Sequence, residues 1–81
     1  MEIEINENVF EMFVKYFKDQ QLLFGEKITE QFDTIGSIYK HDYPYILRHK
    51  ISCDGFNIIH YRTLFTCDNE LENRYVIDTE P

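Results

Sequence analysis

The sequence predicts an α+β fold: one long N-terminal helix packed on a three-stranded antiparallel sheet, with a short extra N-terminal edge strand as an optional addition. Three observations predict it. Apolar residues as far as Ile35 recur at helical spacing; from Tyr43 the pattern changes to strict alternation; and Asp54-Gly55 separates two of the alternating runs.

The helix comes first. Asn6 and Asn8 are both good N-caps, and behind them run Phe10, Phe13, Val14, Phe17, Phe24, Ile28, Phe32 and Ile35. At about 100° per residue these eight fall within an arc of about 100° and keep one phase throughout. That continuity predicts a single helix from about residue 7 to residue 34, closed by Gly36 as its C-cap. Gly25 lies in its interior at a cost of about 1 kcal/mol relative to alanine, which leaves a kink or two shorter helices as the alternative.

The strands follow. Tyr43 precedes Pro44 and is biased toward extended backbone, so it suits a strand start. "YPYILRHKISC" and "FNIIHYRTLFTC" flank Asp54-Gly55, a favoured type I′ hairpin pair. Taking these two as the turn sets the register: Cys53 opposite Phe56, Ile51 opposite Ile58, His49 opposite His60, Leu47 opposite Arg62. "DNE" offers a second turn and "LENRYVID" a third strand, whose Leu71, Tyr75 and Ile77 join the same face if that turn is even-numbered. "MEIEI" also alternates and supplies the optional edge strand. The apolar face of this sheet should receive the phenylalanine stripe of the helix.

An 81-residue sequence reads as one domain, 1–81. A domain of this size buries only about 60% of its unfolded surface, and seven Phe and six Tyr supply the apolar bulk it needs without metal or disulfide. Cys53 and Cys67 are too few for a disulfide framework. The acidic opening lacks the basic and apolar regions of a secretion signal, and no apolar run reaches the ~20 residues of a membrane span. A cytoplasmic protein with reduced thiols is expected.

The net charge is -7 and uneven. Residues 1–40 hold eight acids and four bases, residues 41–66 two acids and three bases, and residues 67–81 five acids and one base. Direct binding to nucleic acid is disfavoured by that sign.

No set of side chains assembles into a catalytic or metal site. Zinc needs at least three ligands at about 2.0–2.3 Å. Cys53 lies four residues from His49 along an extended strand, about 13 Å away, too far for a shared metal or a thiol–base pair. His49 and His60 are expected to be structural, hydrogen-bonded at the margin of the core near Gln20 or Gln21. No catalytic residue, metal or cofactor is expected.

Three surfaces remain. On the predicted long helix Asp19, Glu26, Glu30 and Asp33 fall within about 60° of one another, about 180° from the phenylalanine stripe. With Asp68, Glu70, Glu72, Asp78 and Glu80 they would present spaced negative charge, suited to a cationic cleft that ordinarily holds nucleic acid. Val9, Met12, Tyr16 and Leu23 form a second, off-stripe apolar flank that could line a homodimer or meet a partner. The reverse sheet face carries Ile46, Arg48, Lys50, Ile59, Tyr61, Thr63, Phe65, Arg74 and Val76, where bases beside aromatics are superficially those of a base-stacking sheet.

In size, acidity, aromatic content and freedom from catalytic motifs, the chain resembles the small inhibitor proteins that phages and mobile elements encode against host nucleases and defence complexes, anti-CRISPR proteins among them. That resemblance implies a non-enzymatic inhibitor whose partner is a larger protein with a basic surface, a nuclease or other nucleic-acid-binding complex. Asp19, Glu26, Glu30 and Asp33 would make the contact, with Tyr16 as aromatic anchor beside Met12 and Leu23. An antitoxin or immunity-type protein, and an assembly or regulatory subunit held by its apolar surfaces, are the alternatives.

Overall fold

A computed structural model describes residues 2–35, 45–66 and 69–79 of the chain. In order they form β1 (Glu2–Ile5), α1 (Glu7–Phe24), β2 (Ile28–Ile35), β3 (Tyr45–Cys53), β4 (Phe56–Thr66) and β5 (Asn69–Thr79). The class is α+β, and the strands make one five-stranded antiparallel sheet in the order β1-β5-β4-β3-β2. Gly36, Tyr43, Pro44, Cys67 and Asp68, to which the sequence reading gave roles as cap, strand start, thiol, turn and acid, lie outside the described residues, as does Glu80.

Two expectations need correction. The helix stops at Phe24, and the sheet has five strands where three were expected. Asn6 is the N-cap, its Oδ1 accepting from the Val9 amide at 2.9 Å. Gly25 is the C-cap. Its φ of 70° is left-handed backbone, and its N–H closes on the Gln21 carbonyl at 3.0 Å.

Beyond Gly25 the chain turns into β2, "ITEQFDTI", rich in β-branched residues. The helical phase of Phe24, Ile28 and Phe32 misled for a simple reason. Residues four apart share a face both in a helix, where they differ by about 40°, and in a strand of period two.

The hairpin is as the turn dipeptide dictates. Asp54 (φ 49°) and Gly55 (φ 79°) both adopt the positive φ of a type I′ turn. The register is Cys53–Phe56, Ile51–Ile58, His49–His60 and Leu47–Arg62. β5 continues this face, with Ile77 opposite Ile58 and Tyr75 opposite His60. β1 is the edge strand anticipated from "MEIEI", pairing Ile3 with Ile77 and Ile5 with Tyr75.

α1 packs on this face. Phe10 and Phe17 enter a core with Ile51, Cys53 and Ile58, and Ile5, Phe13, Val14, Ile28, Tyr75 and Ile77 pack around it. Phe17 and Ile58 are almost fully enclosed, which at about 25 cal/mol per Å² makes them the strongest single contributors to the join between helix and sheet. The opposite face buries Ile59 and Val76 as well, outside that cluster. Among the described residues no helix is long and apolar enough to cross a membrane.

Candidate protein-binding surface

The expected site residues separate into two groups. Asp19 stands on α1, Glu26 in the connection after it, and Glu30 and Asp33 on β2. Glu30 and Asp33 are three apart in a strand, so their side chains leave opposite faces of the sheet. Both are also bonded within the chain. The Arg48 guanidinium meets Asp33 at 2.8 Å, and His49 Nε2 lies 3.1 Å from the Glu30 carboxylate. The common helical ridge of four carboxylates does not exist, because the helix on which it was drawn ends at Gly25.

The apolar group fares differently. Met12, Tyr16 and Leu23 share one flank of α1 and are 70%, 50% and 73% exposed. Val9, Met12, Phe13 and Tyr16 outline a shallow hollow of about 290 Å³. The other flank of the helix, with Val14, Lys18 and Gln21, borders Ile28, Glu30 and Ile51 of β2 and β3. The Met12–Tyr16 flank therefore turns toward β4, β5 and β1.

The sheet also leaves large apolar side chains exposed. Ile3 stands opposite Ile77 and Phe56 opposite Cys53, so both rise from the helix-bearing face, and both remain exposed. Taking about 200 Å² for a fully exposed large side chain, Ile3, Met12, Tyr16, Leu23, Phe24 and Phe56 together leave on the order of 700 Å² uncovered.

Sequence reasoning placed Phe24 and Phe32 in the buried stripe and gave Leu22 no place, yet they are 69%, 72% and 82% exposed. A signal for Leu22 and Phe24 existed. "LLFG" puts three consecutive large apolar residues at a helix end, and no helix can turn three consecutive side chains into one core.

The two histidines are integrated in the sheet. The His49 ring stacks on Phe32 (centroids 4.2 Å, planes 9° apart), and His60 stacks on Tyr75 (4.4 Å, 8°). His60 Nε2 is 2.7 Å from Asn73 Oδ1, and Phe10 reaches both His60 and Tyr75 from the helix. Their fixed partners come from neighbouring strands and from Phe10, where Gln20 and Gln21 were anticipated. Among the described residues no three His, Cys, Asp or Glu side chains converge as metal ligands. The Cys53 thiol is pushed above its ordinary pKa by burial, with Glu26 and Asp54 adding to the effect, so it stays protonated and weakly nucleophilic at neutral pH.

On the reverse face the two arginines meet carboxylates of their own chain. Arg48 is paired with Asp33, Arg74 with Glu4, and the Tyr61 hydroxyl donates to Glu2 at 2.9 Å while Arg74 lies over its ring. These contacts reach from β1 to β2 across the sheet. Burial, and then the bond to Glu2, raise the Tyr61 phenol, with Arg48 opposing. Arg48 and Arg74 are both raised, chiefly by their hydrogen bonds to Asp33 and Glu4. Cations spent in this way leave little with which to hold a phosphate backbone.

Comparison with protein-family models, with curated proteins and with solved structures finds no match for this chain.

Proposed function

We propose that the protein is a non-enzymatic binding protein that docks onto a larger protein with a basic surface and blocks its handling of nucleic acid, in the manner of the small inhibitors of phages and mobile elements. The observation that carries this reading is the apolar flank of α1: Met12, Tyr16 and Leu23 exposed on one side of a helix that is otherwise seated on its sheet. Exposed large side chains of this kind lower solubility unless a partner covers them, and Tyr16 has the amphipathic, low-entropy character of an interface anchor.

Charge supplies the choice of partner. A chain of net charge -7 repels nucleic acid and is drawn to cationic protein. Asp19 on α1 is exposed beside the apolar flank, where it would steer approach to a basic rim. Glu30 and Asp33, being paired to β3, would contribute to the long-range field more than to contact.

The test compares the wild-type chain with a Met12→Glu, Tyr16→Glu variant, each immobilised and exposed to bacterial lysate at low and raised salt. The reading expects the wild type alone to retain a nucleic-acid-binding protein, to lose it as salt rises, and to displace DNA or RNA from that protein once it is purified. Equal retention by both chains, or a retained protein whose nucleic-acid binding is unaffected, refutes it.

A further inference from the structure

We infer that the outer edge of β2 pairs with β2 of a second copy of the chain, antiparallel, with Phe32 facing the Phe32 of the partner across a two-fold axis. This surface is separate from the α1 flank, and the inference does not depend on the function proposed above.

β2 is a terminal strand of the sheet, eight residues long and bonded on one side to β3; among the described residues no strand covers its other side. A row of open backbone N–H and C=O groups is a template for a further strand, and sheets ordinarily guard such edges with proline, lysine, bulges or brevity. "ITEQFDTI" has none of these: no proline, no lysine or arginine, and no register shift against β3. The opposite edge, β1, is only four residues long. The two carboxylates that could repel an incoming strand are held by β3, Asp33 by Arg48 and Glu30 by His49.

The sequence of β2 selects the partner and narrows the register. A two-fold axis normal to the sheet keeps each face continuous, so residues that meet must share a face. Centring the axis on Glu30 or on Asp33 sets like charges directly opposite each other, which is destabilising. Centring it on Phe32 brings Gln31 opposite Asp33 of the second copy and Glu30 opposite Thr34, with no like charges directly opposite. It also pairs two Phe32 rings that are each 72% exposed in the single chain and already fixed by stacking on His49. Aromatic pairs directly opposite in a sheet are favourable. The alternative centre, on Gln31, is free of repulsion but leaves Phe32 facing Glu30.

Light scattering and sedimentation of the full chain over a range of protein concentrations test this. The expected result is twice the chain mass at high concentration, falling to a single chain mass in Phe32→Lys, which sets two cations face to face. Gln31→Lys, which would meet Asp33 of the second copy, should keep the dimer, and so should Met12→Glu. A wild type that stays monomeric throughout, or a dimer that survives Phe32→Lys, overturns the inference. So does a dimer lost in Met12→Glu, which would seat the second copy on α1, or one lost in Gln31→Lys, which would centre the axis elsewhere. Should Phe32→Lys fail to fold, amide exchange on the wild type decides: protection within Ile28–Ile35 must rise with protein concentration, and protection independent of concentration refutes the pairing.

Discussion

Phe32 lies flat on His49, and one strand pair away Tyr75 lies flat on His60, so the two histidines that face each other across β3 and β4 are each held from the outer side by a ring. The imidazoles act here as aromatic surfaces with a polar edge, bonded to Glu30 and Asn73. Four strands are joined by this row, and Phe10 ties it to α1.

Replacing His60 by alanine removes the stack on Tyr75, the contact with Phe10 and the bond to Asn73. A loss of about 1–2 kcal/mol in stability is expected by urea denaturation, combining an aromatic contact with a part-exposed hydrogen bond. Bound zinc, measured by elemental analysis of the wild type, should be absent in both chains; stoichiometric metal lost with His60 would contradict this structural assignment.

Gly25→Ala should destabilise the fold by about 1 kcal/mol, because the position requires φ of 70° and an L-side chain rarely adopts it. No atom lies within 4 Å of the added Cβ, so the cost is one of backbone conformation and not of crowding. Gly25→Asn should lose less than Gly25→Ala in thermal denaturation. Equal or raised stability in the alanine variant would mean that the helix continues through this position.

Asp33→Asn should cost about 0.5–1 kcal/mol, the value of a part-exposed ion pair after allowance for screening. The two side chains are each 32% exposed, and Arg48 Nε is buried without a hydrogen-bond partner among the described residues, so the guanidinium is left poorly satisfied when the carboxylate goes. A double-mutant cycle with Arg48→Gln isolates the coupling; zero coupling in low salt would show that the pair contributes nothing. Charge reversal at Asp33 is accordingly a test of folding before it is a test of association.

Stability should fall at alkaline pH. The Cys53 thiol and the Tyr61 phenol both have folded-state pKa values raised above their ordinary ones, first by burial. In the unfolded chain these groups lose protons earlier, at about pH 8.5 for thiol and about 10 for phenol. The unfolded state therefore binds fewer protons as pH rises through that range, and the free energy of unfolding declines. Their contribution is fully present below pH 8.5. Cys53→Ala should flatten the first part of the decline in denaturation midpoints between pH 7.5 and about 10.5; an unchanged profile would show that thiol burial does not matter.

How far the sequence disclosed this molecule depends on how local each determinant is. Asp54-Gly55 fixes a two-residue turn, and from it the pairing of β3 with β4 follows residue by residue. β1 was legible as three alternating apolar residues, although its neighbour β5 lies at the other end of the chain. The stretch after Gly25 was misread because a four-residue spacing is common to both periodicities, and the β-branched content of "ITEQFDTI" carried the information that mattered. The acidic ridge fell with the long helix. The flank of Met12, Tyr16 and Leu23 survived because it lies wholly within α1, where a helical wheel is sufficient. The ties of Arg48, Tyr61 and Arg74 to Asp33, Glu2 and Glu4 were out of reach, since they join residues whose proximity only the finished sheet creates.

The pairing of β1 with β5 also governs when the fold can be completed. Arg74 meets Glu4 across 70 residues of sequence, and among the described residues β1 has no other strand beside it. During synthesis the first strand must wait, with the acids of its reverse face unmatched, until the last has left the ribosome. α1, hairpin β3–β4 and β2 can gather earlier through contacts nearer in sequence. The molecule is thus sealed late, by a closure with a high entropic barrier, and a truncation that removes Arg74 to Asp78 would undo both ends of the chain together.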